Sequence, residues 1–195
     1  MRSGAQLEGE LREVAVLFAD ISNFTALAGQ MLPEDVFHLV NRCLQLLSEA
    51  TYRYEGVVDK YTGDGLMALF GAPLAHENDA ERAVLAALDM QSALKILNEE
   101  QIERRQPRLG LRIGLHYGPV VAGRIGSDLR MEYTVIGDTV NMAARLQQTA
   151  TPGAILVSAS IFQATASLFE FRSLPPIQPK GYAETVPAYE VVGVR

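Results

Sequence analysis

The chain has 195 residues, 48% hydrophobic and 21% charged, with a net charge of −6, which suits one soluble globular domain with a full core. The acidic balance argues against nonspecific nucleic-acid binding, which needs a cationic surface, and obliges an anionic substrate to find local cations or a metal. The single cysteine, Cys43, excludes an internal disulfide and a Cys-rich metal cage.

No signal peptide is visible, and no uncharged apolar run reaches the length of a membrane span. The expected location is cytoplasmic, with no membrane contact by the domain itself, within a larger, membrane-anchored or sensor-linked protein. The polar start, residues 1–12, reads as a linker, and residues 13–195 as the domain.

Glu13–Asp20 (EVAVLFAD) reads as a buried strand ending in an acid, and Ser22-Asn23-Phe24-Thr25 breaks it. Pro33, Glu34 and Asp35 open a helix to about Tyr54, with Val36, Leu39, Val40, Cys43, Leu46 and Leu47 at helical spacing. Cys43 is therefore a core position. Gly56 ends the helix. Val57–Phe70 (VVDKYTGDGLMALF) then reads as a hairpin, because two apolar runs flank Thr62-Gly63-Asp64-Gly65, and Asp-Gly supplies tight-turn backbone angles.

A second long helix is expected from about Asn78 to Arg105, with acids in its first turn and Arg104-Arg105 in its last. Leu109–His116 is a strand that gives way to Tyr117-Gly118-Pro119. Val120–Ile125 reads as the returning strand and Glu132–Ile136 as another. Gly137-Asp138-Thr139 starts a third helix to about Thr149, and Pro152-Gly153 breaks it. Ala154–Ser158 is a short strand, Ala159–Ala166 a small helix, and Phe169–Ser173 and Ala188–Val192 terminal strands. The order strand–helix–hairpin–helix–strand implies an α+β fold, with helices on one face of a mainly antiparallel sheet.

Asp20 ends the first strand and Asp64 sits in the hairpin turn. If those strands are neighbours the two acids converge, and paired carboxylates are the usual protein share of a Mg²⁺ site completed by substrate phosphates and water. For either acid alone the favoured reading is a strand-end cap or a turn residue. Asn141 and Arg145, four residues apart, share one face of the third helix. An amide and a guanidinium suit a phosphoryl group gathering charge, and the helix start beside Gly137 offers donors to a phosphate. The competing reading is a helix cap and a surface Arg. Thr134 and Lys60 are candidates for reading a purine edge, since a hydroxyl donates or accepts and an ammonium only donates. Arg112 and Lys180 are further cations for a triphosphate, or ordinary surface charges. Gly123–Ser127 (GRIGS) is no P-loop and reads as turn chemistry. His38, His76 and His116 have no metal-ligand spacing, and neither a G-x-S-x-G elbow nor a Cys–His pairing is present.

Four stretches together, FADISNFT (Phe18–Thr25), DKYTGDGLMALFG (Asp59–Gly71), LRIGLHYGPVVAG (Leu111–Gly123) and EYTVIGDTVNMAARL (Glu132–Leu146), resemble the class III nucleotidyl cyclase catalytic domain, in the family's order. The resemblance implies a ferredoxin-like βαββαβ core with C-terminal extra strands, working as a head-to-tail homodimer with active sites at the interface. It implies that Asp20, Asp64 and the backbone carbonyl of Ile21 hold two Mg²⁺ or Mn²⁺ ions. Lys60 and Thr134 match the adenine-selecting pair, Asn141 and Arg145 the transition-state pair, and Arg112 and Lys180 triphosphate contacts. The whole set in one chain is similar to bacterial homodimeric adenylyl cyclases. Thr134 resembles the subgroup that includes bicarbonate-responsive enzymes. The expected reaction turns ATP into 3′,5′-cyclic AMP and pyrophosphate. A guanylyl cyclase and a non-catalytic nucleotide-binding module are the alternatives. No residue stands out as a general base.

Overall fold

A computed structural model describes residues 9–195. Its first strand, β1 (Glu10–Ser22), sends Ala15, Leu17, Ala19 and Ile21 into one apolar cluster and Val14 and Val16 into another. Both faces are covered, which is why this stretch reads as a continuous apolar run. The strand starts three residues before the sequence pattern does, because Glu10, Leu11 and Arg12 pair with a neighbouring strand instead of forming a linker. The expected linker's residues 1–8 lie outside the described residues.

After β1 come α1 (Phe24–Ala28), α2 (Pro33–Arg53), β2 (Val57–Tyr61), β3 (Gly65–Phe70) and α3 (Asp79–Glu103). Then follow β4 (Gly110–Ser127), β5 (Arg130–Ile136), α4 (Asp138–Thr149), β6 (Ile155–Ser158), α5 (Ala159–Thr165), β7 (Phe169–Ser173) and β8 (Ala188–Val194). The strand order is β2-β3-β1-β4-β6-β8-β7, with β5 pairing β4 off this path. Among the described residues only β4 and β6 run parallel. The order β2-β3-β1-β4 with a helical connection on each side of the hairpin is the ferredoxin-like βαββαβ core, and β6, β8 and β7 extend it.

Two sequence expectations change. The helices do not all lie on one face: α2 and α3 contribute Leu39, Leu47, Ala83, Ala87 and Met90 to one cluster, while Ala143 of α4 packs with Val14, Val16 and Met67 on the other. Amphipathic spacing tells which side of a helix is buried, not which face of a sheet receives it. Gly114 shows how close α4 lies, since a Cβ there would stand 2.2 Å from the Gln147 nitrogen and 2.5 Å from the Ala143 oxygen.

The second change is that Leu109–His116 and Val120–Ile125 are not two strands of a hairpin. They are one 18-residue strand, β4, paired with β1 straight through Tyr117-Gly118-Pro119. Pro119 is tolerated because β6 has left β4 after Leu115 and β5 joins only at Val121, so one side of the strand is open there. Gly123–Ser127 accordingly belongs to the ribbon, and the turn falls at Asp128-Leu129.

Candidate active site

Asp20 is placed by register. It faces Gly65 on β3 and Arg112 on β4, so Arg112 shares its side of the sheet. Asp64, one residue before β3, is tied in by its carbonyl, which accepts the Ile21 N–H at 3.0 Å. The two carboxyls lie within hydrogen-bonding reach of each other, a contact that needs one of them protonated. Burial, that hydrogen bond and repulsion from Asp64 push the Asp20 carboxyl up to about 7, with the Arg112 guanidinium pulling the other way. Asp20 Oδ1 and Arg112 Nε are buried without hydrogen-bond partners among the described residues. Gly65 keeps the space open, because a Cβ there would lie 2.1 Å from the Ala19 carbonyl oxygen and 2.6 Å from Asp20 Oδ1.

This arrangement fits a divalent cation. Two carboxylates and the nearby Ile21 backbone are hard oxygen donors, one oxygen is an orphan, and a bound cation would relieve the charge conflict between the acids. Among the described residues no group of three or more His, Cys, Asp or Glu side chains converges. The protein's share of the coordination shell is therefore small, and phosphate oxygens and water would supply the rest.

Lys60 and Thr134 come together around a residue that the sequence reading passed over. Asp59 Oδ2 accepts the Thr134 hydroxyl at 2.9 Å and lies 3.7 Å from Lys60 Nζ. Thr134 pairs with Gly123 at the far end of β4, so its meeting with β2 means that the β4–β5 ribbon curls back over the sheet. The Asp59 side chain is 2% exposed and that of Lys60 55%, so the acid is covered and the ammonium reaches out. The only sequence signal for Asp59 was an acid beside a cation, which is common at surfaces.

Asn141 and Arg145 lie on the part of α4 turned away from the sheet. Asn141 is exposed, and Arg145 Nη1 donates to Gln148 Oε1 at 3.0 Å. Lys180 is exposed on the loop between β7 and β8, which packs Leu174, Ile177 and Tyr182 on Met142 and Leu146 of α4. The start of α4 is not a free phosphate cradle: Asp138 stands in its first turn and accepts the Tyr182 hydroxyl at 2.6 Å. Burial and this acid push the Tyr182 phenol up to about 12. No hydrogen bond or ion pair among the described residues joins the Asp20–Asp64 cluster to Asn141, Arg145 or Lys180.

The sequence matches the adenylate and guanylate cyclase catalytic domain family over residues 8–192. It is 32% identical over 185 residues to adenylate cyclase 1 of Rhizobium meliloti, covering 94% of this chain but 28% of that relative. The chain thus spans well under half the length of the curated adenylate cyclases it matches. Among solved structures it resembles the adenylyl cyclase CyaB from P. aeruginosa with a TM-score of 0.93 at 32% identity, over 97% of this chain and 98% of that one. It also resembles the guanylyl cyclase Cya2 with a TM-score of 0.89 at 32% identity, over 97% and 96%.

Proposed function

Because the chain belongs to the adenylate and guanylate cyclase catalytic domain family, we propose that it converts ATP into 3′,5′-cyclic AMP and pyrophosphate at two equivalent sites of a homodimer. The observation that supports this reading is that one chain holds two separate groups, a half-buried acid pair where β1 meets the hairpin turn and an amide–guanidinium pair on the outward side of α4. A second copy, head to tail, would bring each half against its complement.

In the reaction the ATP 3′-oxygen attacks the α-phosphorus in line. The O3′–Pα bond forms, the bond from Pα to the pyrophosphate breaks, and the hydroxyl proton passes to solvent. Asp20, Asp64 and the Ile21 carbonyl of one protomer would hold Mg²⁺ or Mn²⁺, two ions per site. When bound, divalent ions lower the pKa of the attacking hydroxyl and neutralise the leaving group. Arg112 binds the triphosphate beside the acids. From the other protomer, Arg145 neutralises charge growing on the α-phosphoryl and Asn141 orients the ribose. Lys180 adds a cation to the triphosphate, while Lys60 and Thr134 read the base.

The fold likeness extends to both an adenylyl and a guanylyl cyclase, so the choice of ATP rests on Lys60 and Thr134. A guanine edge presents a donor at N1, where the Lys60 ammonium offers only donors. Bicarbonate as an activator rests on Thr134 alone and is tested by adding it at fixed pH. We place the domain on the cytoplasmic side, where ATP is supplied.

Cyclic nucleotide formed from ATP and from GTP, measured against protein concentration, tests the activity and the dimer together. Inactive Asp20→Ala and Arg145→Ala chains, mixed equally, should recover about a quarter of the normal activity, because half the dimers are mixed and each keeps one intact site. A dead mixture in which mixed dimers are demonstrated rejects the shared site, and preferred use of GTP rejects the substrate.

A further inference from the structure

Asp59 occupies a bulge. Val58 pairs with Ala68 and Lys60 with Met67, so Asp59 is the extra residue on β2 with no partner on β3. In an unbroken strand, neighbours 59 and 60 would point to opposite faces. A bulge re-aims side chains, and here one oxygen of Asp59 serves both the Lys60 ammonium and the Thr134 hydroxyl.

We propose that Asp59 is a positioning residue that fixes the hydrogen-bond polarity of Thr134, and that this polarity makes the site read adenine instead of guanine. The proposal deepens, and rests on, the reading of Lys60 and Thr134 as the base-contacting pair.

The argument is one of counting protons. A carboxylate accepts hydrogen bonds and donates none; a threonine hydroxyl has a single proton and two acceptor sites. Thr134 gives its proton to Asp59 at 2.9 Å. Toward a bound base it has only lone pairs left. Lys60, held beside the same oxygen, presents only donors. The pair therefore displays an acceptor next to a donor. Adenine matches both, with its 6-amino group donating and N1 accepting. Guanine inverts both, with O6 accepting and N1–H donating. Without Asp59 the Thr134 hydroxyl turns freely and can donate to O6, so one of the two mismatches vanishes. Because the Asp59 side chain is almost wholly covered, water cannot easily take its place as the proton's acceptor.

The test is the ratio of kcat/KM for ATP to that for GTP in the full dimeric chain. Asp59→Leu, similar in branching but without an acceptor, and Asp59→Ala should each lower that ratio by about tenfold or more, the usual scale for one misdirected hydrogen bond in a base pocket. A purely structural Asp59 would lower both activities together and leave the ratio alone. The effect should also depend on the hydroxyl. In a Thr134→Val background, which has no proton to direct, replacing Asp59 should leave the ratio unchanged. The unmodified chain gives an independent readout: purine riboside triphosphate, which lacks the 6-amino donor, should be turned over about tenfold less efficiently than ATP. A ratio within about twofold of normal in either folded, dimeric variant, an undiminished Asp59 effect in the Thr134→Val background, or equal use of the two purine triphosphates overturns the proposal. If the unmodified dimer forms no cyclic AMP from ATP, the parent reading falls first; normal ATP turnover with an unmoved ratio removes this proposal alone.

Discussion

Asp59 and Asp20 are both acids withdrawn from solvent near the same hairpin, and the chain treats them in opposite ways. Asp59 finds a hydroxyl and an ammonium within its own protomer. Asp20 finds a second acid, an orphaned oxygen and a single cation too weak to cancel the repulsion, and its carboxyl is pushed up to about 7. The contrast separates two kinds of site. A satisfied cluster is ready before the ligand arrives and sets what it will accept. A conflicted cluster stores an unfavourable charge that a cation relieves, so its partner comes from outside the chain.

The largest blow to this contrast comes from the conflicted side. Asp64→Ala should cut cyclic AMP formation on the order of 100-fold or more, because a preorganised charge contact to the reacting groups is lost. Assayed with saturating Mn²⁺, a variant that keeps a tenth of normal activity would show that Asp64 does not hold the ion. Arg145→Ala should cost about 100-fold in kcat with little change in KM, as expected for a contact made mainly in the transition state. A rise in KM alone would move Arg145 from the reacting phosphoryl to ground-state binding.

Gly65→Ala tests the space between the acids. Its Cβ would meet the Ala19 carbonyl and the Asp20 carboxylate, so the strand must shift, at a cost of about 1–3 kcal/mol in a denaturant titration. Loss of Mn²⁺ binding alongside that cost would tie the gap to the ion.

The charge conflict itself has a sign. Asp20 titrates near 7 in the folded chain against an ordinary value of 3.8, so the folded state holds an extra proton between those limits. The Asp20 contribution to metal-free stability is fully present below about pH 3.8 and is lost as pH rises through about 7. Mn²⁺ should reverse the trend, because it displaces that proton. Melting temperatures with a chelator should drop by about a few degrees from pH 5 to pH 8, and Asp20→Asn should flatten the slope. An equal slope in the variant contradicts the assignment. The smallest effect belongs to exposed Lys180: Lys180→Ala should raise the KM for ATP about threefold at low ionic strength and less at high salt, since solvent screens it.

Much of this was legible beforehand because it is local. Helical spacing from Val36 to Leu47 gave α2 to within a residue, and Asp-Gly at the hairpin gave β2 and β3. The pairing of Asp20 with Asp64 was a conditional inference, requiring β1 and the hairpin to be neighbours, and the register supplies that neighbour. The short helix α1 was not expected, because five residues after a left-handed Asn23 carry too little periodicity to see.

The sequence by itself determined the residue types, their order and the α+β alternation, since these follow from backbone preference and from the period of apolar side chains. Tertiary structure alone decided the rest. Pro119 could stay inside β4 only because one side of that strand is open, and α4 took the sheet face opposite α2 and α3. The β4–β5 ribbon then curled back far enough for Thr134 to reach Asp59, 75 residues away in the chain. Each of these depends on which strands lie side by side and how they twist. Long-range register sets that, and no local pattern of residues encodes it.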